Sequence, residues 1–263
     1  MQAKKKKGNG KYIALSVLSI VLFILVWHLI TAVFKVFPSN VFPSPAKIVK
    51  TFIYKLSNPN PDGGTLFQHI GASLQVALSG YFLALVVGIP LGILMGWSEK
   101  VDIYARPLFD LLRPIPGIAW IPVMLTFFGI GMASKVAVIF LSALIPCIVN
   151  SYTGIKQTKA VHLWVAQTFG ASNRQMLFRI AIPTAMPMIL TSLRVALGSA
   201  WTALVAAELL ASTKGLGFMI QQSRGLTRPD VIIVGMISIG AIGAFLTYLI
   251  SLLEKAILKG GRW

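Results

Sequence analysis

The sequence predicts an all-α fold, a polytopic membrane helical bundle with six transmembrane helices, and three observations carry that reading. Of the 263 residues, 56% are hydrophobic and only 12% are charged, about half the charged share of roughly 25% in an ordinary soluble domain. Apolar stretches long enough to cross a bilayer core recur at 12–34, 70–98, 114–134, 136–155, 180–207 and 231–253, each near the roughly 20 residues a spanning helix needs. The 24 lysines and arginines, which leave a formal net charge of +17, sit between these stretches rather than along one polar face. That distribution points to membrane topology and away from nucleic acid.

The first stretch, 12–34, follows the basic run Lys4 to Lys7 with no small-residue cleavage pattern after it, so it is expected to be an uncleaved signal-anchor. Residues 1–11 then form a cytoplasmic basic tail. Segment 35–69, with "PSPAKIVKTFIYKL" and "NPNPDGG", reads as an extracytoplasmic interfacial helix and loop whose basic residues face lipid headgroups. In the second span Gly80, Ala84, Gly88, Gly92 and Gly96 recur every four residues, a small-residue ridge that lets backbones approach closely. One such ridge leaves a helix face for a second copy of the chain. Pro90 is expected to kink this span. The third span opens on Pro114, Pro116 and Pro122, and Pro146 is expected to break up the fourth.

With the N-terminus in the cytoplasm, the pieces 1–11, 99–113, 156–179 and 254–263 hold fifteen of the 24 basic residues, the outside pieces hold eight, and Arg194 lies within a span. This asymmetry favours cytoplasmic termini at both ends. Segment 156–183 then faces the cytoplasm. Residues 158–169 have helical character, Gly170 interrupts, and Ser172 or Asn173 can cap a new helix carrying Met176, Leu177 and Ile180 at helical spacing. Pro183 is expected to end it. Gly170 allows a positive φ or close backbone approach by a partner.

Two ionisable residues stand out in the fifth span. Glu208 closes it as "VAAE", and Arg194 lies about mid-span. Groups at such depth mark function or a structural pairing. A buried cation fits an anion pathway and equally fits an acid or a backbone carbonyl. Ser199, Trp201 and Thr202 share that span as candidate pathway linings or plain packing. Catalysis finds no support in the chain. The phosphate-cradling G-x-x-x-x-G-K-[S/T] is missing, and "GNGK" at 8–11 is too short. His28, His69 and His162 have no metal-ligand spacing, and the single cysteine, Cys147, lies in an apolar run. A secondary transporter would need more intramembrane acids for proton coupling, and an intramembrane enzyme would need paired acids, metal ligands or a Ser/His constellation.

Gly170 followed by Ile180-Ala181-Ile182-Pro183 resembles the "EAA–G–I-LP" loop of the membrane permeases of ABC importers. The stretches "LRPIPGIAWIPVMLTFFGIG" (112–131), "GASNRQMLFRIAIPTAMPMILTSLRVALGSAWTALVAAE" (170–208) and "KGLGFMI" (214–220) resemble the nitrate/sulfonate/taurine/bicarbonate branch over most of residues 40–255. The family's E-A-A triplet falls on Trp164-Val165-Ala166, so only the last alanine is kept. The resemblance implies a single permease domain (1–263) of the type I importer fold, whose core is 70–253, in a bacterial plasma (inner) membrane. It implies a coupling loop docked on a cytoplasmic ATPase, carried here by Ala166, Phe169, Gly170, Ala171, Ser172, Leu177 and Pro183. It further implies a homodimer, two ATPase subunits that bind the ATP and Mg, an extracytoplasmic substrate-binding protein, and no cofactor on this chain. Segment 209–230 is the candidate contact for the binding protein. Among substrates, taurine or another sulfonate comes first, because "LVAAELLASTKGLGFM" is similar to taurine permeases. Nitrate, bicarbonate, aromatic acids and vitamin precursors occur in the same branch.

Overall fold

A computed structural model describes residues 9–260, all of whose regular elements are helices. The basic run Lys4 to Lys7 and Arg262 lie outside the described residues. The helices divide into two compact units, Met1–Leu66 with Met219–Met236, and Phe67–Phe218 with Ile237–Trp263.

In the first unit, α1 (Asn9–His28) runs into a π turn, Leu29–Val33. Their stretch Ala14–Val33 is apolar enough to cross a membrane. Helix α2 (Pro45–Ser57) begins where Ser44 caps it, accepting from the Lys47 amide at 3.4 Å, with Pro45 in the first turn. There a missing N–H costs nothing. The expectation that the basic residues of this segment face headgroups fails at Lys55. Its ammonium is wholly buried and donates to Asp62 Oδ1 at 2.5 Å and to the Gly64 carbonyl at 2.6 Å. A buried ammonium is tolerated only when paired in this way. Thr51 Oγ1 likewise donates to Asp230 Oδ2 at 2.9 Å, and Arg228 donates to both oxygens of the same carboxylate.

The second unit is built on α3 (Leu66–Trp97), α6 (Met132–Lys156) and α9 (Ile182–Leu210). One buried cluster joins Val76, Ala77, Tyr81 and Ala84 of α3, Val138, Ile139, Ala143 and Cys147 of α6, and the stripe Ala196, Ala200, Ala203 and Ala207 of α9. The α3 glycine ridge faces α6. A Cβ at Gly88 would lie 2.6 Å from Cys147 Cβ, and one at Gly92 would lie 2.6 Å from the Ile148 carbonyl oxygen. The ridge is therefore used within the chain and offers no face to a second copy. α3 stays helical through Pro90, and α6 stays helical through Pro146, where a break was expected. Neighbouring helices and polar side chains satisfy backbone groups freed by proline in such bundles.

The third span is not one helix. The expected cytoplasmic piece 99–113 holds α4 (Glu99–Leu112), capped by Ser98 and carrying Glu99 and Asp102 in its first turn. After a break come a 3₁₀ turn, Gly117–Trp120, and α5 (Ile121–Phe128), and the chain bends by 85° across the break. Arg113 keeps a helical backbone before Pro114, whereas Pro116 is extended at ψ 138° just before the 3₁₀ turn, and neither proline has an N–H with which to continue a helical ladder. Among the described residues five long apolar helices remain, or six spans if the bent pair counts as one. Helix α10 (Leu216–Gly225) follows α9. The last helix, α11 (Pro229–Gly260), extends beyond the expected 231–253 at both ends.

Candidate functional site

Two places gather the sequence-predicted residues. The first is the segment between α6 and α9. Helix α7 (Ala160–Thr168) ends on Phe169, and Gly170 follows at φ +77°. The Gly170 amide donates to the Gln167 carbonyl at 2.9 Å and the Ala171 amide to the Ala166 carbonyl at 3.0 Å. That pair of bonds is a Schellman motif with glycine at its left-handed position. Ser172 then caps the short α8 (Asn173–Met176) through a full capping box. Its Oγ accepts from the Gln175 amide at 3.3 Å, and Gln175 Oε1 accepts from the Ser172 amide at 2.8 Å.

Pro183 does not end this helix. A π turn, Leu177–Ala181, carries α8 into α9, with Pro183 in the first turn of α9, so Asn173–Leu210 is one continuous span. The wide turn and the first-turn position both spare the backbone the bond that proline cannot make. Met176 and Ala181 are buried, and Leu177 packs with Ile155, Ala181, Ala185 and Ile189. The outer face is different. Val161, Trp164, Val165, Phe169 and Phe178 are all exposed, Phe169 at 86%. Trp164 and Val165, which replace the family's acid and alanine, thus contribute apolar surface.

The second place is a cleft of about 490 Å³ in the second unit, lined among others by Pro116, Gly117, Ser142, Arg194, Ser199 and Thr202. It brings together three of the five candidate pathway residues. Trp201 points elsewhere: its Nε1 donates to the Ile239 carbonyl at 3.2 Å, against α11. Glu208 also lies elsewhere, almost wholly buried. Its carboxylate accepts from Ser73 Oγ at 2.8 and 2.9 Å and from the Gly217 amide at 2.9 Å, while the Leu216 amide donates to Ser73 Oγ at 2.8 Å. Glu208 therefore fastens the turn before α10 to α3, which is the structural pairing. Arg194 finds an acid: its Nη2 donates to Glu254 Oε2 of α11. Neither Glu254 nor Ser142 was singled out from the sequence. The sequence offered no signal for Glu254, which falls just beyond the expected span 231–253 while Arg194 was expected at mid-span.

Among the described residues no group of three His, Cys, Asp or Glu side chains is placed to hold a metal.

These helices form a multi-pass bundle of membrane-spanning type, and comparison with known proteins makes it a transport permease subunit of the ABC importer class, with the type I importer fold. Residues 88–260 match the family described as the binding-protein-dependent transport system inner membrane component, and the chain belongs to that family. Its relatives include the taurine transport system permease protein TauC of Escherichia coli, 37% identical over 90% of this chain and 86% of that protein. The putative aliphatic sulfonates transport permease protein SsuC of Bacillus subtilis is 32% identical over 97% of this chain and 91% of its own length. The nitrate import permease protein NrtB of Synechocystis is 34% identical over 82% and 80%. In fold, the chain resembles the MetNI methionine ABC transporter in an inward-facing conformation, with a TM-score of 0.59 at 17% identity, covering 74% of this chain and 95% of that one.

Proposed function

We propose that this permease carries a small sulfonate, taurine foremost, through a pathway that includes the Arg194 cleft, driven by an ATPase docked on the segment 160–178. The observation that carries the docking is the surface there. Five large apolar side chains stand exposed on a helix–Gly170–helix unit whose inner face is anchored in the bundle. Exposed apolar clusters of this kind mark protein contacts, and one on a segment outside the expected spans fits a soluble partner. Within this reading Ala166, Phe169, Gly170, Ala171 and Ser172 form the docking unit, Leu177 anchors it, and Pro183 lies where it enters the membrane. Two identical copies, two ATPases binding ATP and Mg, and an extracytoplasmic binding protein complete the importer. Both termini lie in the cytoplasm, and this chain itself holds no cofactor.

The sulfonate assignment draws on the taurine and sulfonate permeases among the relatives and on the Arg194 guanidinium in the cleft. The nitrate permease among them favours a second reading, a simple inorganic anion. The test is a reconstituted importer in vesicles. Taurine-loaded binding protein should stimulate ATP hydrolysis and taurine uptake, and Phe169→Asp should reduce both together with ATPase recovery in pull-down. Full ATPase recovery and full uptake with Phe169→Asp would remove the docking assignment. Uptake of nitrate but not taurine by the wild type would transfer the substrate assignment to the second reading.

A further inference from the structure

Arg194 and Glu254 form an ion pair between antiparallel helices, and the arginine also lines the cleft. The arginine side chain is half-exposed at 46%, the glutamate 21% exposed. The cleft is within the roughly 300–1,000 Å³ of ordinary small-molecule sites. Ser142, Ser199 and Thr202, each bearing a hydroxyl, line the same cleft as Arg194. At rest Ser142 Oγ donates to the Val138 carbonyl at 2.8 Å and Thr202 Oγ1 to the Gly198 carbonyl at 3.0 Å. Those carbonyls lie within helices, so turning either hydroxyl toward a ligand orphans no backbone group.

We infer that this ion pair is a receptor for a zwitterion: the guanidinium and the hydroxyls take a sulfonate, and the Glu254 carboxylate takes the ammonium at the other end of the same molecule. The inference rests on the sulfonate reading above and narrows it to aminosulfonates. The reason is charge balance. A simple anion that captures Arg194 leaves Glu254 a partly buried carboxylate without its cation, and stranding one member of such a pair is costly. A zwitterion breaks the pair and replaces both partners at once, leaving the net charge of the site unchanged. Three hydroxyl-bearing residues on the wall of the cleft suit a sulfonate, which offers three acceptor oxygens where a carboxylate offers two. Discrimination then comes from Glu254, a residue that contributes nothing to binding the anionic end.

The test measures binding to the assembled permease–ATPase complex without the binding protein, so that the binding protein's own selectivity plays no part. The probes are radiolabelled taurine, with isethionate (a hydroxyl replacing the ammonium) and nitrate as competitors. Wild type should hold taurine at least about tenfold more tightly than isethionate, a difference of about 1.4 kcal/mol. Glu254→Gln should bring taurine down to the isethionate level while leaving isethionate as tight or tighter. Glu254→Asp should keep the preference, and Arg194→Gln should lose both ligands. Equal affinity of taurine and isethionate for the wild type would overturn the inference without any variant. So would a parallel loss of both in Glu254→Gln, which is what a merely structural pair predicts, and so would failure of the complex to bind taurine. Uptake by the full importer is read separately. ATP-driven taurine uptake with no taurine site on the complex defeats only this inference, whereas failure of taurine uptake defeats the substrate reading on which it rests.

Discussion

Replacing Gly170 separates two reasons for a glycine in the exposed loop. Its φ of +77° is in the left-handed region, where an L residue costs roughly 1–2 kcal/mol. A Cβ built there meets nothing within 4 Å, so crowding within the chain adds no further cost. Alanine should therefore lower the population of the native turn by about 5- to 30-fold relative to its alternatives. Asparagine, which visits the left-handed region more readily, should lose less. Aspartate shares that tolerance but sets a negative charge at the C-terminal end of α7, unfavourable by about 0.3–1 kcal/mol. If the turn alone needs glycine, ATPase recovery should fall in the order wild type, Asn, Asp, Ala. If the partner's backbone approaches the glycine closely, Asn, Asp and Ala should fail alike. Pull-down of the ATPase by each variant at matched expression, with uptake measured in parallel, decides between them. Membrane insertion and capture of substrate by the binding protein should be unaffected in every case. Equal recovery and equal transport for Gly, Asn, Asp and Ala would refute the docking role and leave Gly170 as helix punctuation.

Other variants probe the bundle. Gly92→Leu drives a side chain into the α6 backbone, where even a Cβ would lie 2.6 Å from the Ile148 carbonyl oxygen. Overpacking costs about 1–3 kcal/mol or more, and the monodisperse yield in detergent should collapse, whereas Gly71→Leu, with no atom within 4 Å of its Cβ, should be tolerated. Glu208→Ala leaves the Ser73 hydroxyl and the Gly217 amide without their shared acceptor, at about 1–3 kcal/mol for each orphaned group. Hydrogen exchange at Leu216 and Gly217 should accelerate; unchanged protection would show that the turn holds without the carboxylate. Ala160→Cys should resist membrane-impermeant thiol reagents added to intact cells and react once the cells are opened. Cys147 is buried and gives little background. Labelling of Ala160→Cys from outside would invert the topology.

Hydropathy located the four long helices behind the first, within four residues at both ends of α3 and α6 but seven residues short at the start of Asn173–Leu210 and at the end of α11, because length and apolarity are all that a bilayer demands of a span. The third escaped the same reasoning. Its prolines were visible, but an apolar stretch interrupted by proline looks alike whether the chain kinks or turns through 85°. α4, amphipathic and bearing Glu99 and Asp102, falls below any hydropathy threshold. In the exposed loop, Gly170 and Ser172 were legible because caps and left-handed turns are local chemistry. Pro183 was misread because the π turn that accommodates it leaves no sequence mark. The cleft was legible only in part. Arg194 could be placed at mid-span by counting, but its partner is sixty residues away on another helix, and only the helix register joins them. The glycine ridge was identified as a contact surface, yet periodicity cannot say whether that contact lies within one chain or between two.

The π turn at Leu177–Ala181 has one more consequence. Because it mends the chain where Pro183 would otherwise sever it, the 38 residues of Asn173–Leu210 form a single strut, about 57 Å from end to end at 1.5 Å per residue. Ser172 clamps its lower tip, Glu208 pins its far end to α3, and Arg194 rides near its middle. A tilt imposed at the lower tip would sweep the strut sideways about its Glu208 end, against the packing of Ala196, Ala200 and Ala203 on α3 and α6. The guanidinium would then travel roughly half as far as the tip, and the wide turn, the least stiff section, decides how much of the push is lost before it reaches the cleft.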